Sequence, residues 1–237
     1  SDIVFVEGYT NTVLAGALAA IKLHIKVGHI EAGLRSYFRE MPEEINRILT
    51  DHCSDLLFAP TKKAKGILLN EGIFNKNIFI TGNTVVDAVF ENLKLAEKKS
   101  KILEKLNLSK RGYFLMTAHR AENVDNKNRL KGILKGIGLV SKRFSLPVIY
   151  PIHPRTRKML KNFKLVIPKS ISLIEPLGYL DFLKLENSAK LILTDSGGIQ
   201  EESCIMKVPC VTLRSVSYTH LRAHETVLDL VCRLLLE

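Results

Sequence analysis

The sequence has no tryptophan, and aromatic residues make up only 7% of it. Most of its core must therefore be aliphatic. Cysteine is scarce: Cys53, Cys204, Cys210 and Cys232 form no CxxC pair and no metal-ligand spacing, so no metal is expected. That usage fits a reduced, cytoplasmic protein. Long hydrophobic runs are missing too. The longest uncharged apolar stretch, residues 8–21, falls short of the ~20 residues that span a bilayer. No basic-then-apolar signal segment opens the chain. Acidic residues are in deficit, 24 against 35 Lys and Arg, which leaves a net charge of +11 and favours anionic ligands. No nucleic-acid motif accompanies that charge, so neither nucleic acid nor a membrane is expected as a partner.

What is present is an ordinary globular balance, 46% hydrophobic and 25% charged over 237 residues. That length suits one to two domains at ~150 residues each. Short apolar runs alternate with helical periodicity. Strands are predicted at 3–7, 27–31, 56–59, 78–81, 113–117, 148–151, 172–175, 191–194 and 210–213. Helices are predicted at 10–23, 42–53, 61–71, 84–98, 128–143, 154–162, 178–187 and 198–206, with Ile45, Ile48 and Leu49 marking one face of the second. Regular strand–helix alternation reads as α/β with parallel sheets. The lysine-rich segment 92–111 breaks the pattern and reads as a charged helix and linker, placing a domain boundary near residue 100.

In open α/β sheets, ligands bind beyond the carboxyl ends of strands. Four strand ends carry polar constellations: residues 7–12, 28–35, 117–123 and 194–202. Two sheets with such ends suggest a cleft between them. Ser196-Gly197-Gly198 before a helix could bring backbone N–H groups to a phosphate, against a plain tight turn as the bland alternative. Glu202, about two turns into that helix, could accept two bonds from ribose hydroxyls. His119 and Arg120 could neutralise a diphosphate, although a lone histidine is often only structural. Glu31 suits a general acid or base, or else a salt bridge to Arg35 or Arg39. Glu43 follows Pro42 at a helix start, where ordinary capping explains an acid equally well.

These motifs, Gly-His-Ile-Glu-Ala-Gly-Leu-Arg (28–35), Pro-Glu-Glu-Ile-Asn-Arg (42–47), Phe-Ala-Pro-Thr (58–61), Thr-Gly-Asn-Thr (81–84), Thr-Ala-His-Arg-Ala-Glu-Asn (117–123) and Thr-Asp-Ser-Gly-Gly-Ile-Gln-Glu-Glu (194–202), occur in one order. The chain thereby resembles the non-hydrolysing UDP-N-acetylglucosamine 2-epimerases over about residues 2–214. The resemblance implies a GT-B fold of two Rossmann-like domains, residues 1–100 and 101–214, both incomplete. It implies interconversion of UDP-N-acetylglucosamine and UDP-N-acetylmannosamine through a 2-acetamidoglucal. The product would feed surface polysaccharide, and the enzyme would need no cofactor and form a homodimer when full length. By position, Glu31 and Glu43 match the catalytic carboxylates and His119 the histidine near the diphosphate. Ser196, Gly197 and Gly198 match the phosphate cradle, Glu202 the ribose ligand, and Phe182 the wall beside the base. A UDP-sugar-binding module without turnover, a hydrolysing epimerase and a GT-B glycosyltransferase are the competing readings.

Three departures stand out. The family's opening strand and Gly-Thr-Arg-Pro-Glu loop have no counterpart here, as if something upstream had been cut away. The family's Val-x-Gly-Asp-Thr is Val6-Glu7-Gly8-Tyr9-Thr10, and tyrosine, with an ordinary pKa of about 10, cannot replace a carboxylate base near neutral pH. Residues 215–237 resemble a translated transposase sequencing adaptor and are expected to be a non-native tail.

Overall fold

A computed structural model describes residues 2–213; the expected non-native tail lies outside the described residues. The chain divides into two compact units, residues 2–84 and 85–213. The first runs β1 (Ile3–Glu7), α1 (Asn11–Lys22), β2 (Lys26–Ile30), α2 (Pro42–Cys53), β3 (Leu56–Ala59), α3 (Lys62–Asn70) and β4 (Ile78–Ile80). Its four strands are all parallel and lie in chain order, β1-β2-β3-β4.

The second unit takes up α4 (Thr84–Lys99) and continues with α5 (Ile102–Lys105), β5 (Phe114–Thr117), α6 (Ala121–Val124) and α7 (Lys127–Phe144). Then follow β6 (Val148–Pro151), α8 (Pro154–Asn162), β7 (Ile171–Ile174), α9 (Tyr179–Ser188), β8 (Leu191–Thr194), α10 (Gly197–Ile205) and β9 (Cys210–Thr212). This sheet is also parallel throughout, but its order is β7-β6-β5-β8-β9. The chain walks outward from β5 in one direction, then returns to its other side for β8. Such a reversal opens a crevice at the carboxyl ends of the two central strands.

Alternation explains the second core. Phe114, Met116, Val148, Tyr150 and Leu193 join one apolar cluster, while Tyr113, Leu115, Ile149 and Ile192 join another. Successive strand residues point to opposite faces, so this sheet is covered on both. The first unit has two smaller clusters. One joins Val6 and Val27 to Ala17 and Ala20 of α1; the other joins Leu57, Ala59 and Ile78 to Ala64 and Leu68 of α3.

Two expectations need correction. The division falls at the start of α4, not near residue 100. The carboxyl end of α4 is tied to α9 by the Lys184–Glu97 ion pair, and Ser100 just beyond it donates to Asp181 at 2.5 Å, so this helix travels with the second unit. In α2 the buried residues are not apolar. Glu44, Asn46, Arg47, Thr50 and Asp51 are buried, while Leu49 is 45% exposed. A helix that hides its polar stripe must supply each group with a partner. Those partners define the candidate site of the first unit.

Candidate functional site

The four polar strand ends resolve into two adjacent pairs, one in each unit. In the first unit, Val6 and Glu7 of β1 stand opposite His29 and Ile30 of β2. Glu31, directly after β2, has φ 68°. Left-handed backbone at a non-glycine residue is uncommon and is a recognised marker of functional positions. Its carboxylate is half-buried and reaches toward the β1 end: Oε2 would lie 3.7 Å from a Cβ placed on Gly8. The turn that follows Glu31 is crowded. Gly33 has φ 81°, and a Cβ there would meet the Ala64 carbonyl oxygen at 2.5 Å.

α2 anchors this end. Its Asn46 Nδ2 donates to the Tyr9 carbonyl at 3.1 Å and to Asn11 Oδ1 at 2.8 Å. The Arg47 guanidinium lies over the Tyr9 ring, 4.4 Å from its centroid. Glu43 sits three and four residues before these two, on the same helical face. The two glutamates after Pro42 divide their work. Glu44 is buried and accepts from the backbone N–H groups of Ser36 and Tyr37 and from the Ser36 hydroxyl. Glu43 is half-buried in the first turn and, among the described residues, forms no side-chain hydrogen bond or ion pair.

Sequence reasoning missed a buried relay beneath this end. His29 Nε2 donates to the Gly8 carbonyl at 2.9 Å, and Nδ1 meets Asp51 Oδ1 at 2.6 Å. The other Asp51 oxygen accepts from Gly33 N at 3.1 Å and Arg35 Nη1 at 2.6 Å, and Arg35 also bonds Glu71. The relay grips the two turns that flank Glu31. His29 and Asp51 are 22 positions apart, so no local motif announces it.

In the second unit, Thr117 and Thr194 pair across β5 and β8 at the reversal point, their hydroxyls 2.6 Å apart. Beyond them Asp195, fully buried, gathers the turn that follows β5. Its carboxylate accepts from His119 N at 3.0 Å, Arg120 N at 2.9 Å and Asn123 Nδ2 at 2.9 Å. It also meets His119 Nδ1 at 3.1 Å. Burial alone would raise its pKa, but the hydrogen bonds from His119, Asn123 and Arg120 hold it below the ordinary aspartate value. With Nδ1 committed, Nε2 is the His119 nitrogen left to address a ligand. Ala118, just before, accepts from the Tyr150 and Thr156 hydroxyls at 2.6 and 2.8 Å, so the turn is pinned from both sides. Asp195 belongs to the motif 194–202, yet nothing local signals that it serves His119.

Arg120 is half-buried, and its Nε is buried with no hydrogen-bond partner among the described residues. Ser196 is the N-cap of α10 but makes no capping bond with its side chain, while its N–H donates to Thr194 Oγ1 at 3.0 Å. The first N–H groups of α10 have no partner within the helix, and the helix dipole adds partial positive charge there. Open space lies in front of Gly198, where a Cβ would meet nothing within 4 Å. Glu202 Oε1 accepts from the Tyr179 hydroxyl at 3.0 Å. Phe182 packs against the second apolar cluster and stays half-exposed.

His119, Arg120, Ser196, Gly197 and Gly198 thus meet at one reversal point, and Glu202 and Phe182 lie on the flanking helices α10 and α9. Among the described residues no group of three or more His, Cys, Asp or Glu side chains is arranged to hold a metal, and no helix is long and apolar enough to cross a membrane. The arrangement offers an anion site with a carboxylate beside it, in a unit distinct from the one carrying Glu31 and Glu43.

A family model described as UDP-N-acetylglucosamine 2-epimerase matches residues 1–227. The UDP-N-acetylglucosamine 2-epimerase of Methanocaldococcus jannaschii is 59% identical over 219 residues, 90% of this chain and 60% of the relative. That of Methanococcus maripaludis is 56% identical over 220 residues, again 90% and 60%. The chain therefore spans about 60% of the length of the curated relatives it matches. A crystal structure of the M. jannaschii protein in complex with UDP-GlcNAc and UDP superposes with a TM-score of 0.83 at 57% identity, over 94% of this chain and 62% of that one. The Neisseria meningitidis enzyme bound to UDP-GlcNAc gives 0.80 at 38% identity, over 91% and 60%. The two parallel sheets are those of the GT-B epimerase fold, as the sequence motifs implied. By its motifs, its fold and these matches, the chain belongs to the UDP-N-acetylglucosamine 2-epimerase family.

Proposed function

We propose that the full-length protein interconverts UDP-N-acetylglucosamine and UDP-N-acetylmannosamine without releasing free sugar. The observation that carries this reading is the Asp195-centred turn, which holds His119 and Arg120 beside the N-terminus of α10. A diphosphate leaving group needs cationic and N–H donors of this kind. UDP would be held by its phosphates at His119, Arg120, Ser196, Gly197 and Gly198. Its ribose would lie against Glu202 and its uracil beside Phe182. Glu31 and Glu43, from the first unit, would do the acid–base work. One removes the C2 proton as the C1–O bond breaks and UDP departs with the electron pair. A proton then returns to C2 on the opposite face, and a UDP oxygen re-forms the bond to C1. Family membership and the relatives solved with UDP-GlcNAc and UDP support the substrate. A supply of N-acetylmannosamine units for surface polysaccharide, and a homodimer, complete the proposal.

One observation favours a second reading, a UDP-sugar binder with impaired turnover. Where the family motif has aspartate, Tyr9 is stacked under Arg47. The full-length protein, with Tyr9 and with Tyr9→Asp, separates the two. Turnover impaired by Tyr9 predicts UDP-N-acetylmannosamine formation that rises at least tenfold on Tyr9→Asp, while UDP affinity stays within about twofold. Equal turnover in both would show that position 9 is not an acid–base group. Release of free UDP and N-acetylmannosamine would point to the hydrolysing reaction instead.

A further inference from the structure

The second unit buries one acid that neither its fold nor the chemistry above employs. Glu186 of α9 is 0% exposed. Taken as a carboxylate, it has no hydrogen-bond partner at either oxygen among the described residues. Glu202 of α10 lies within reach of its carboxyl group, and Tyr179 also feels its charge. Glu202 also accepts from the Tyr179 hydroxyl at 3.0 Å. Tyr179 and Glu186 stand seven residues apart on α9, two helical turns, and so share a face. One face of α9 thus presents a phenol and a carboxyl to the same carboxylate.

Two carboxylates in that arrangement offer each other only repulsion, and one proton turns the pair into a hydrogen bond. Burial first, and the negative charge of Glu202 second, hold Glu186 protonated well above the ordinary glutamate range. Tyr179 is pushed up to about 12, by burial and then by Glu202, so it too keeps its proton. Both α9 groups thus keep a proton to give, and Tyr179 gives its own to Glu202. Glu202 is half-buried, with its other lone pairs available to a ligand.

We propose that Glu186 is a positioning residue for nucleotide recognition: its hydroxyl donates to Glu202 and, with Tyr179, fixes that carboxylate for bidentate acceptance from the 2′- and 3′-hydroxyls of a ribonucleotide. The inference rests on the reading of Glu202 as the ribose contact. A carboxylate locked in plane by two donors discriminates a vicinal diol from a single hydroxyl; a freely rotating one does so poorly. Glu186 thereby sets the preference for ribose over deoxyribose without touching the nucleotide.

The test is calorimetric titration of the full-length protein with UDP and with 2′-deoxy-UDP, for the parent, Glu186→Gln, Glu186→Leu and Glu202→Gln. The parent should prefer UDP roughly 10- to 100-fold, the worth of one hydrogen bond to a charged group. Glu186→Gln keeps an N–H donor and should keep the preference. Glu186→Leu fills the space without a donor and should bring it within about threefold of unity. A full preference in Glu186→Leu, together with its loss in Glu202→Gln, overturns the role of Glu186 and leaves the ribose reading standing. No preference in the parent, no effect of Glu202→Gln, or no UDP binding at all overturns the ribose reading and this inference with it. Should Glu186→Leu fail to fold, the infrared difference between parent and Glu186→Gln still decides. A protonated-carboxyl stretch present at neutral pH in the parent alone is the expected result, and its absence refutes the hydroxyl donor.

Discussion

Removing the Asp195 carboxylate would strip His119 of its Nδ1 partner and leave the N–H groups of His119 and Arg120 unsatisfied where the turn is built. Asp195→Ala should cost about 2–4 kcal/mol of stability, the usual scale for orphaned buried donors, and should weaken UDP binding as the turn loosens. Because the folded pKa of Asp195 lies below its unfolded value, its stabilisation is complete above the ordinary aspartate range and disappears as pH falls through the folded value. Urea midpoints of parent and Asp195→Ala should therefore differ at neutral pH and converge in acid; a pH-independent gap would contradict this role. On the proposed assignment, His119→Ala and Ser196→Ala each remove one donor to the diphosphate and should each cost ~1.5–3 kcal/mol in UDP affinity. Unchanged affinity in both would leave them structural. That His119 and Ser196 stand at strand ends was legible in the sequence because each belongs to a local strand-end motif. Asp195 in its orienting role and the His29–Asp51 relay were not, because their partners come from distant positions that only the sheets and α2 bring together.

At the scale of elements, two glycines give opposite expectations. Gly33 holds the chain after β2 against α3, with φ 81° and no room for a Cβ beside the Ala64 carbonyl. Gly33→Ala should destabilise the first unit by about 2 kcal/mol or more, through backbone strain and overpacking. Gly198 opens α10 with empty space before it, so Gly198→Ala should leave the melting temperature within about 2 °C. Its UDP affinity should nevertheless fall if phosphate approaches that turn. Thermal melts and titrations of both variants check the pair; a large loss of stability in Gly198→Ala would show that the glycine serves the fold instead. Strand positions were legible throughout because short apolar runs between turns have few alternative readings. The four-residue helices α5 and α6 were not, since so short a segment carries no period. α2 misled for a different reason: its apolar residues are genuine, but its polar stripe is better served by buried partners.

For the molecule as a whole, alternation and motif order already pointed to two parallel sheets and to the family. Strand order could not be read that way. Only the return of the chain to the far side of β5 creates the reversal point that brings the loops after β5 and β8 together, while direct β1–β2 pairing joins the other two polar loops. On the proposed mechanism, carboxylates of the first unit invert the sugar at C2 by proton removal and return, and UDP, held by donors of the second, departs in between. The direct measurement is turnover of UDP-N-acetylglucosamine by the full-length protein carrying Tyr9→Asp in deuterated water, with NMR at C2 of the recovered UDP-sugars. Deuterium should appear at C2 in both epimers as conversion proceeds. Conversion that leaves the C2 proton of the starting sugar in place in the product would contradict the mechanism.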